Sequence, residues 1–346
     1  MFYSQGLGVE KDQKEAVKWY RKAADAGCLQ ALLNLGLCYM TGSGVEVDAS
    51  EAIKCWRTAA EREDAAAQHN LGLAFYRGHG VDEDKTEAAK WFHKSAEQGH
   101  EPAQGYLAEC FAEGLGVEKD LKAAIEWWQR AAAQGDAWAA AKLGACYFNG
   151  DGIDEDKAEA VRWWQIAAER GHAAVQYNLG ITLFNGNGVA EDKAEAIKWI
   201  HKAAEQGYVP AQFILGECYA KGNGVNEDKA EAVKWWHKAA EQGDVWSAER
   251  LGECYSKGDG VDENKAEAFK WVRIAAERGQ VDAQYFLGVS LFHGDGVAVD
   301  KAEGIRWFRK AAEQGLAGAQ HYLATRLFIG DGVDKDKAEA VSTTAQ

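Results

Sequence analysis

Proline is nearly missing from this chain: two residues in 346, beside 38 glycines. With proline unavailable for turns, glycine must punctuate the chain, and that balance favours helices stopped at set points. Basic charge is also short. Lys plus Arg number 39 against 54 Asp plus Glu, a formal net charge of -15. That sign repels phosphate and argues against nucleic acid and anionic membranes as partners. No apolar run approaches the roughly 20 residues that span a bilayer, so no membrane insertion is expected, and no basic segment followed by an apolar core opens the sequence. Seven cysteines in 346 residues are too sparse for a small disulfide-stapled scaffold. What remains, 47% hydrophobic and 27% charged residues, is the balance of a soluble folded protein of a length that would ordinarily suggest two globular domains.

A period replaces that suggestion. Gly-x-Gly followed by Val or Ile places the last residue at Val9, Val45, Val81, Val117, Ile153, Val189, Val225, Val261, Val297 and Val333, each 36 residues after the one before. Ten residues past these markers stand Trp19, Trp91, Trp127, Trp163, Trp199, Trp235, Trp271 and Trp307, with Cys55 and Thr343 as exceptions. Such self-similarity predicts a stack of supersecondary repeats. One repeat, Tyr208 to Gly243, reads YVPAQFILGECYAKGNGVNEDKAEAVKWWHKAAEQG. Ala211, Leu215 and Tyr219 form one helical stripe, and Gly222 and Gly224 end that helix. Asp228 is expected to cap a second helix, with Glu231 completing a reciprocal capping box, and Gly243 to stop it. The same pair recurs as Asp12 with Glu15, Asp84 with Glu87, Asp156 with Glu159 and Asp300 with Glu303, while Ala123 breaks it after Asp120. Pro102 and Pro210 suit the first turn of a first helix. A slower period is superposed: residues 102–209 match residues 210–317, pairing Trp138 with Trp246 and Cys110 with Cys218.

The pattern A-x-x-x-L-G-x-x-Y, G-x-G-V-x-x-D, K-A-x-x-W-x-x-K-A-A-x-x-G resembles the Sel-1-like repeats, relatives of the tetratricopeptide repeats. The likeness covers nearly the whole chain, and eight of ten repeats keep the tryptophan. The resemblance implies an all-α, right-handed superhelical α-solenoid of helix-turn-helix repeats that binds other proteins on its concave side, and it implies no catalysis. Residues 1–346 are then expected to form a single array of about ten repeats. Both ends cut through a repeat, at Met1-Phe2-Tyr3-Ser4 and at VSTTAQ, so the chain is expected to be a fragment of a longer protein or to oligomerise end to end.

In a repeat stack, phases that hardly vary should be packing and phases that vary should carry specificity. The near-constant first-helix phases are those of Ala211, Leu215, Gly216 and Tyr219; the variable ones are those of Pro210, Phe213, Ile214, Glu217, Ala220 and Lys221, the opposite face. By analogy with tetratricopeptide repeats, this face lines the concave groove. Its candidate partner-binding residues are Trp138, Trp246, Tyr177, Phe213, Tyr285, His69, Tyr106 and Phe286, interspersed with Asn178, Lys142, Arg250, Glu217 and Glu253. Aromatics with a few charges are the usual makeup of an interaction hot spot. The competing reading, packing against the neighbouring first helix, weighs most on Phe148, Phe184 and Phe292. The phase of Glu217 holds no asparagine, so a carboxylate clamp is not expected.

Catalytic and metal chemistry finds no support in the residues. Cys38, Cys110, Cys146, Cys218 and Cys254 share one phase with Ala74, Thr182 and Ser290, as small buried residues do, and equivalent positions on neighbouring helices lie too far apart for disulfides. Reduced thiols point to the cytoplasm. The tryptophan row is expected to be core rather than a sugar-stacking surface. His93, His201 and His237 are expected on a solvated face. Loops such as GDGIDEDK lack the spacing of a calcium loop, and no zinc, nucleophile or phosphate-binding motif occurs. A non-enzymatic adaptor binding a peptide or protein, without cofactor or metal, is the expectation, with end-to-end self-assembly as the alternative.

Overall fold

The computed structural model describes residues 12–331. Among these residues every regular element is an α-helix. The helices fall into two compact halves divided between Arg170 and Gly171. In the N-terminal half they are α1 (Gln13–Asp25), α2 (Leu29–Thr41), α3 (Ala49–Ala60), α4 (Ala65–Arg77), α5 (Lys85–Glu97), α6 (Glu101–Glu113), α7 (Leu121–Ala133), α8 (Ala137–Asn149) and α9 (Lys157–Glu169). In the C-terminal half they are α10 (Ala173–Asn185), α11 (Lys193–Glu205), α12 (Val209–Lys221), α13 (Lys229–Glu241), α14 (Val245–Lys257), α15 (Lys265–Glu277), α16 (Val281–His293), α17 (Lys301–Glu313) and α18 (Ala317–Ile329). Within each half the helices pack in chain order, the first helix of a repeat most closely on the second helix of the same repeat. Each half has several small clusters of buried side chains rather than one centre. The markers Val9 and Val333, Thr343 and the two cut ends lie outside the described residues.

The close approach within a repeat has a local cause. A Cβ added to Gly216 would lie 2.5 Å from the indole nitrogen of Trp236, and one on Gly72 or Gly288 would lie 2.7 or 2.8 Å from the ring of Phe92 or Phe308. A bulky side chain twenty residues downstream thus rests directly on a first-helix glycine. The near-constant Gly216 admits a close partner helix, and the side chain seated on it is Trp236, which follows Trp235 of the tryptophan row to make a Trp-Trp pair. Ala108 and Ala324 stand where the other described repeats have this glycine, and Trp128, twenty residues after Ala108, is buried and packs edge-on against Trp138, with centroids 6.2 Å apart.

The caps are as expected in part. Asp228 accepts the backbone N-H of Glu231 at 2.9 Å, and Asp120 caps α7 equally well by accepting from Lys122 and Ala123. The reciprocal half of the capping box does not form. The Asp228 N-H donates to the carbonyl of Tyr219, nine residues back, at 2.9 Å, and the N-H groups of Asp48, Asp84, Asp120, Asp156, Asp192, Asn264 and Asp300 do the same in their repeats. With that donor satisfied by loop closure, the glutamate three residues on turns outward to a cation, as Glu231 does to Lys234 at 2.8 Å. Pro102 and Pro210 stand in the first turns of α6 and α12. Gly243 follows α13 at a φ of 101°, where its N-H and that of Asp244 close the helix on Ala240 and Ala239.

The glycine contact makes a direct prediction. Gly216→Ala forces the Trp236 indole off its seat and should cost about 1–3 kcal/mol, the range for overpacking a close-packed core. Urea unfolding followed by circular dichroism reads this as a lower midpoint; an unchanged midpoint contradicts the contact.

Candidate functional site

Of the phases that hardly vary, those of Ala211, Leu215 and Gly216 are buried, and Tyr219 is partly buried. Ala211 and Leu215 are fully buried, as are Ala67, Leu71, Leu107, Leu143, Leu179 and Leu251. Five members of the tryptophan row, Trp91, Trp199, Trp235, Trp271 and Trp307, are buried, whereas Trp19 is 51% exposed. Cations cover several of these rings: Lys94 on Trp91, Lys202 on Trp199, Lys238 on Trp235 and Lys310 on Trp307, each within 4.3 Å of the centroid. The histidines expected on a solvated face are only partly so, because each has an aromatic partner. His93, His201 and His237 stand edge-on to Trp127, Trp235 and Trp271, one repeat further along, at 6.0, 5.3 and 5.1 Å.

The variable face of the first helices divides into residues that knit neighbouring helices together and residues that reach solvent. In the N-terminal half His69 and Tyr106 belong to the first group. Tyr106 stacks on Phe92 at 5.1 Å and lies 5.7 Å from His69, and His69 meets His100 at 5.0 Å. Burial and the neighbouring His100 lower the His69 pKa to about 4, so its ring is neutral near pH 7. Trp138 is 36% exposed at the start of α8 with the Lys142 ammonium over its ring at 4.9 Å. In the C-terminal half Tyr177 leans on Tyr208, and Tyr285 on Phe308, Phe286 and Tyr322. Phe213 packs partly buried against the cluster around Trp236. Phe292, the doubtful member of this face, is buried.

In that half Trp246 and Phe286 reach solvent on the predicted face, 59% and 50% exposed on α14 and α16, and Phe328 on α18, at the phase of Phe292, is 55% exposed. Asn178 and Glu253 are exposed as well. The charged candidates pair with one another: Arg250 donates to Glu217 on the neighbouring first helix at 2.8 Å and to Glu253 at 3.3 Å, while Lys221 reaches Glu217 at 2.5 Å. The structure therefore brings Glu217, Arg250, Glu253 and Phe286 together on one stretch of α12, α14 and α16, beside a half-open cleft of about 510 Å³ lined by Glu253, Val272 and Phe286.

One pattern escaped the sequence reading although the letters carry it. A buried glutamine on the first helix donates to the carbonyl eight residues back, as Gln68 does to Ala60 and Gln212 to Ala204, and accepts from a second glutamine thirty residues on. The Gln98–Gln68, Gln134–Gln104, Gln206–Gln176, Gln242–Gln212 and Gln314–Gln284 bonds are 2.7–2.9 Å long. Where the first member is Leu32, Ala140 or Ala248, the second is Arg62, Arg170 or Arg278, whose guanidinium lies against Gly27, Gly135 or Gly243. The two repeats with a tryptophan on the first helix, Trp138 and Trp246, are both of the arginine kind. Comparing phases thirty residues apart, rather than one phase at a time, would have found it.

Six of the seven cysteines are buried and Cys28 is exposed; none is paired. Burial pushes the thiols of Cys110, Cys218 and Cys254 up to about 11. Among the described residues no cluster of His, Cys, Asp or Glu is arranged to hold a metal, and no helix is long and apolar enough to cross a membrane.

Paired helices with a repeated interior and a variable outer face define an α-solenoid repeat protein. The chain belongs to the Sel1 repeat family: the Sel1 repeat matches residues 1–28, 29–64, 65–100, 102–136, 139–172, 173–208, 209–244, 247–280, 281–316 and 317–342. Among solved structures it is similar to c5321, described as a protective antigen present in uropathogenic Escherichia coli strains and displaying an SLR fold. That match has 36% identity and a TM-score of 0.81, covering 99% of this chain and 73% of that one. It is also similar to a Sel1 repeat protein from Oxalobacter formigenes, with 31% identity, a TM-score of 0.67 and 89% coverage of both chains. No curated protein matches it. Sel1-repeat proteins generally mediate protein–protein interaction, and the solenoid fold is typically non-catalytic.

Two measurements check the burial pattern. In the folded protein one thiol, Cys28, should react rapidly with an aromatic disulfide reagent and the other six only after unfolding; rapid reaction of several contradicts their burial. Because the His69 pKa is lowered on folding, its contribution is present above about pH 6.5 and is lost as pH falls toward 4. Linkage gives about 2 kcal/mol lost by pH 5. His69→Phe, which places at 69 the aromatic found at Phe213, should flatten that part of the pH profile, and an unaltered profile contradicts the assignment.

Proposed function

We propose that this chain is a non-enzymatic adaptor whose ten repeats act as one array, holding a peptide or protein surface on the concave face formed by its first helices. The observation that carries this reading is the solvent exposure of Trp246 and Phe286, 59% and 50%, on a face whose neighbouring constant phases are buried. Large aromatics held in water by rigid helices contribute much contact area at little entropic cost when a partner covers them. The Glu217–Arg250–Glu253 network beside them fixes charge positions in advance, so that a partner meets an ordered pattern. The same chemistry, aromatic contact with scattered charge and no nucleophile or metal set, supports binding rather than turnover.

Trp138→Ala together with Trp246→Ala should leave helical content unchanged and the melting temperature within a few degrees, because Trp246 reaches solvent and Trp138, at the start of its helix, gives up an edge contact with Trp128 and no buried core position. Capture of partners from a native extract, quantified against the unmutated protein, should fall at least tenfold, the loss expected on removing two hot-spot tryptophans. Unfolding of the variant would make these residues core, and undiminished capture by a folded variant would remove the groove.

A further inference from the structure

The second member of the Trp-Trp pair fills the slot over the first-helix glycine in nearly every repeat. Trp56, Phe92, Trp164, Ile200, Trp236 and Phe308 are all buried there, and Trp128, whose repeat has Ala108 in place of the glycine, is buried as well. At the equivalent place in α15 stands Val272, the smallest residue at this phase and only partly buried. Three residues earlier Phe269 replaces the Val, Ile or Ala of the other described repeats. Val272 still seats on Gly252, its Cγ2 2.6 Å from where a Cβ would lie, but it is too small to reach beyond that seat as an indole or phenyl ring does. The exchange leaves the cleft of about 510 Å³ between α14, α15 and α16, floored by Val272, Phe269 and Gly252 and edged by Phe286 and Val289. That volume is typical of a site that takes a small ligand or an anchoring side chain.

Charge on the rim selects among occupants. Glu249, Glu253, Glu263 and Asp295 line the cleft against Lys257 and Lys265, and with Glu253 already paired to Arg250 at 3.3 Å the rim keeps an excess of one carboxylate in a chain that is already acidic overall. Lys265 is engaged with Asp295 at 3.4 Å. Along α14, Trp246 precedes Glu249 and Glu253 on the same helical stripe, so exposed aromatic surface continues from the cleft up the helix. An extended surface of this kind suits a peptide chain better than a compact small molecule.

We infer that the slot opened by Val272 seats a single apolar anchor, of leucine or phenylalanine size, on a peptide segment whose adjacent residues are lysine or arginine. This rests on the groove reading above and adds to it a position and a partner chemistry. The anchor would replace the indole that the other repeats supply from within, and the rim carboxylates would receive the flanking cations.

The test uses the full chain and a displayed library of random twelve-residue peptides. Enriched sequences should share an aromatic or branched aliphatic residue beside Lys or Arg. Binding of synthetic versions should fall at least tenfold for F269V/V272W, which recreates the pair that Val233 and Trp236, and Val161 and Trp164, already form. That variant should fold with equal or higher melting temperature, since its slot is filled in the manner of its neighbours. Glu249→Gln with Glu253→Gln should weaken the same peptides several-fold and reduce their salt dependence. Peptides that lack an anchor, carry acidic flanks or bind the filled variant equally well overturn the inference, as does the absence of enrichment. If such peptides still lose binding to Trp138→Ala with Trp246→Ala, the slot fails while the groove stands; if neither variant affects them, both fail.

Discussion

The contact between a first-helix glycine and the bulky side chain twenty residues downstream is the constraint on which the rest of the structure depends. It sets how closely the two helices of a repeat approach, and that closeness buries the Ala and Leu stripe of the first helix on one side and the second-helix alanines on the other. Once that face is committed to packing, the opposite face of the first helix is the one left to vary. The glutamine bonds then join consecutive repeats within each half at a fixed spacing, because a buried amide must find both a donor and an acceptor to be tolerated. Regular interior and irregular surface are thus consequences of one packing rule.

Departures from the rule show its reach. Where Ala108 takes the glycine's place, the buried Trp128 indole packs edge-on against Trp138. In the corresponding copy, with Gly216 under Trp236, Trp246 is the more exposed, 59% against 36%. At Val272 the seat on Gly252 is kept, with Cγ2 2.6 Å from where a Cβ would lie, but the residue is smaller than the rings that fill most other repeats. Variation in function and variation in packing therefore meet at the same few positions, each readable against the other copies of the repeat.

Much of this was legible in the letters. A 36-residue period, glycines at helix ends, aspartates before the second helices and cysteines among small residues all follow from local chemistry, and the helices begin and end at those signals. The surface was less legible, because the sequence gives the phase of a residue and not the reach of its neighbours. His69 and Tyr106 share the variable face with Trp246 yet pack against Phe92, since the adjacent helix brings His100 and Tyr76 toward them. Arg250, Glu217 and Glu253 satisfy one another for the same reason. The capping glutamates were misjudged because the competing acceptor, a carbonyl nine residues back, becomes visible only when the loop is closed.

Hydrogen–deuterium exchange on the chain, free and saturated with a captured partner or a selected peptide, addresses the central claim directly. If the variable face of the first helices is where binding occurs, slowed exchange should concentrate in α14 and α16 and in the other first helices, with the second helices little changed apart from α15, whose Phe269 and Val272 line the cleft. Protection confined to the second helices or to the glycine loops would place the partner elsewhere and contradict the claim.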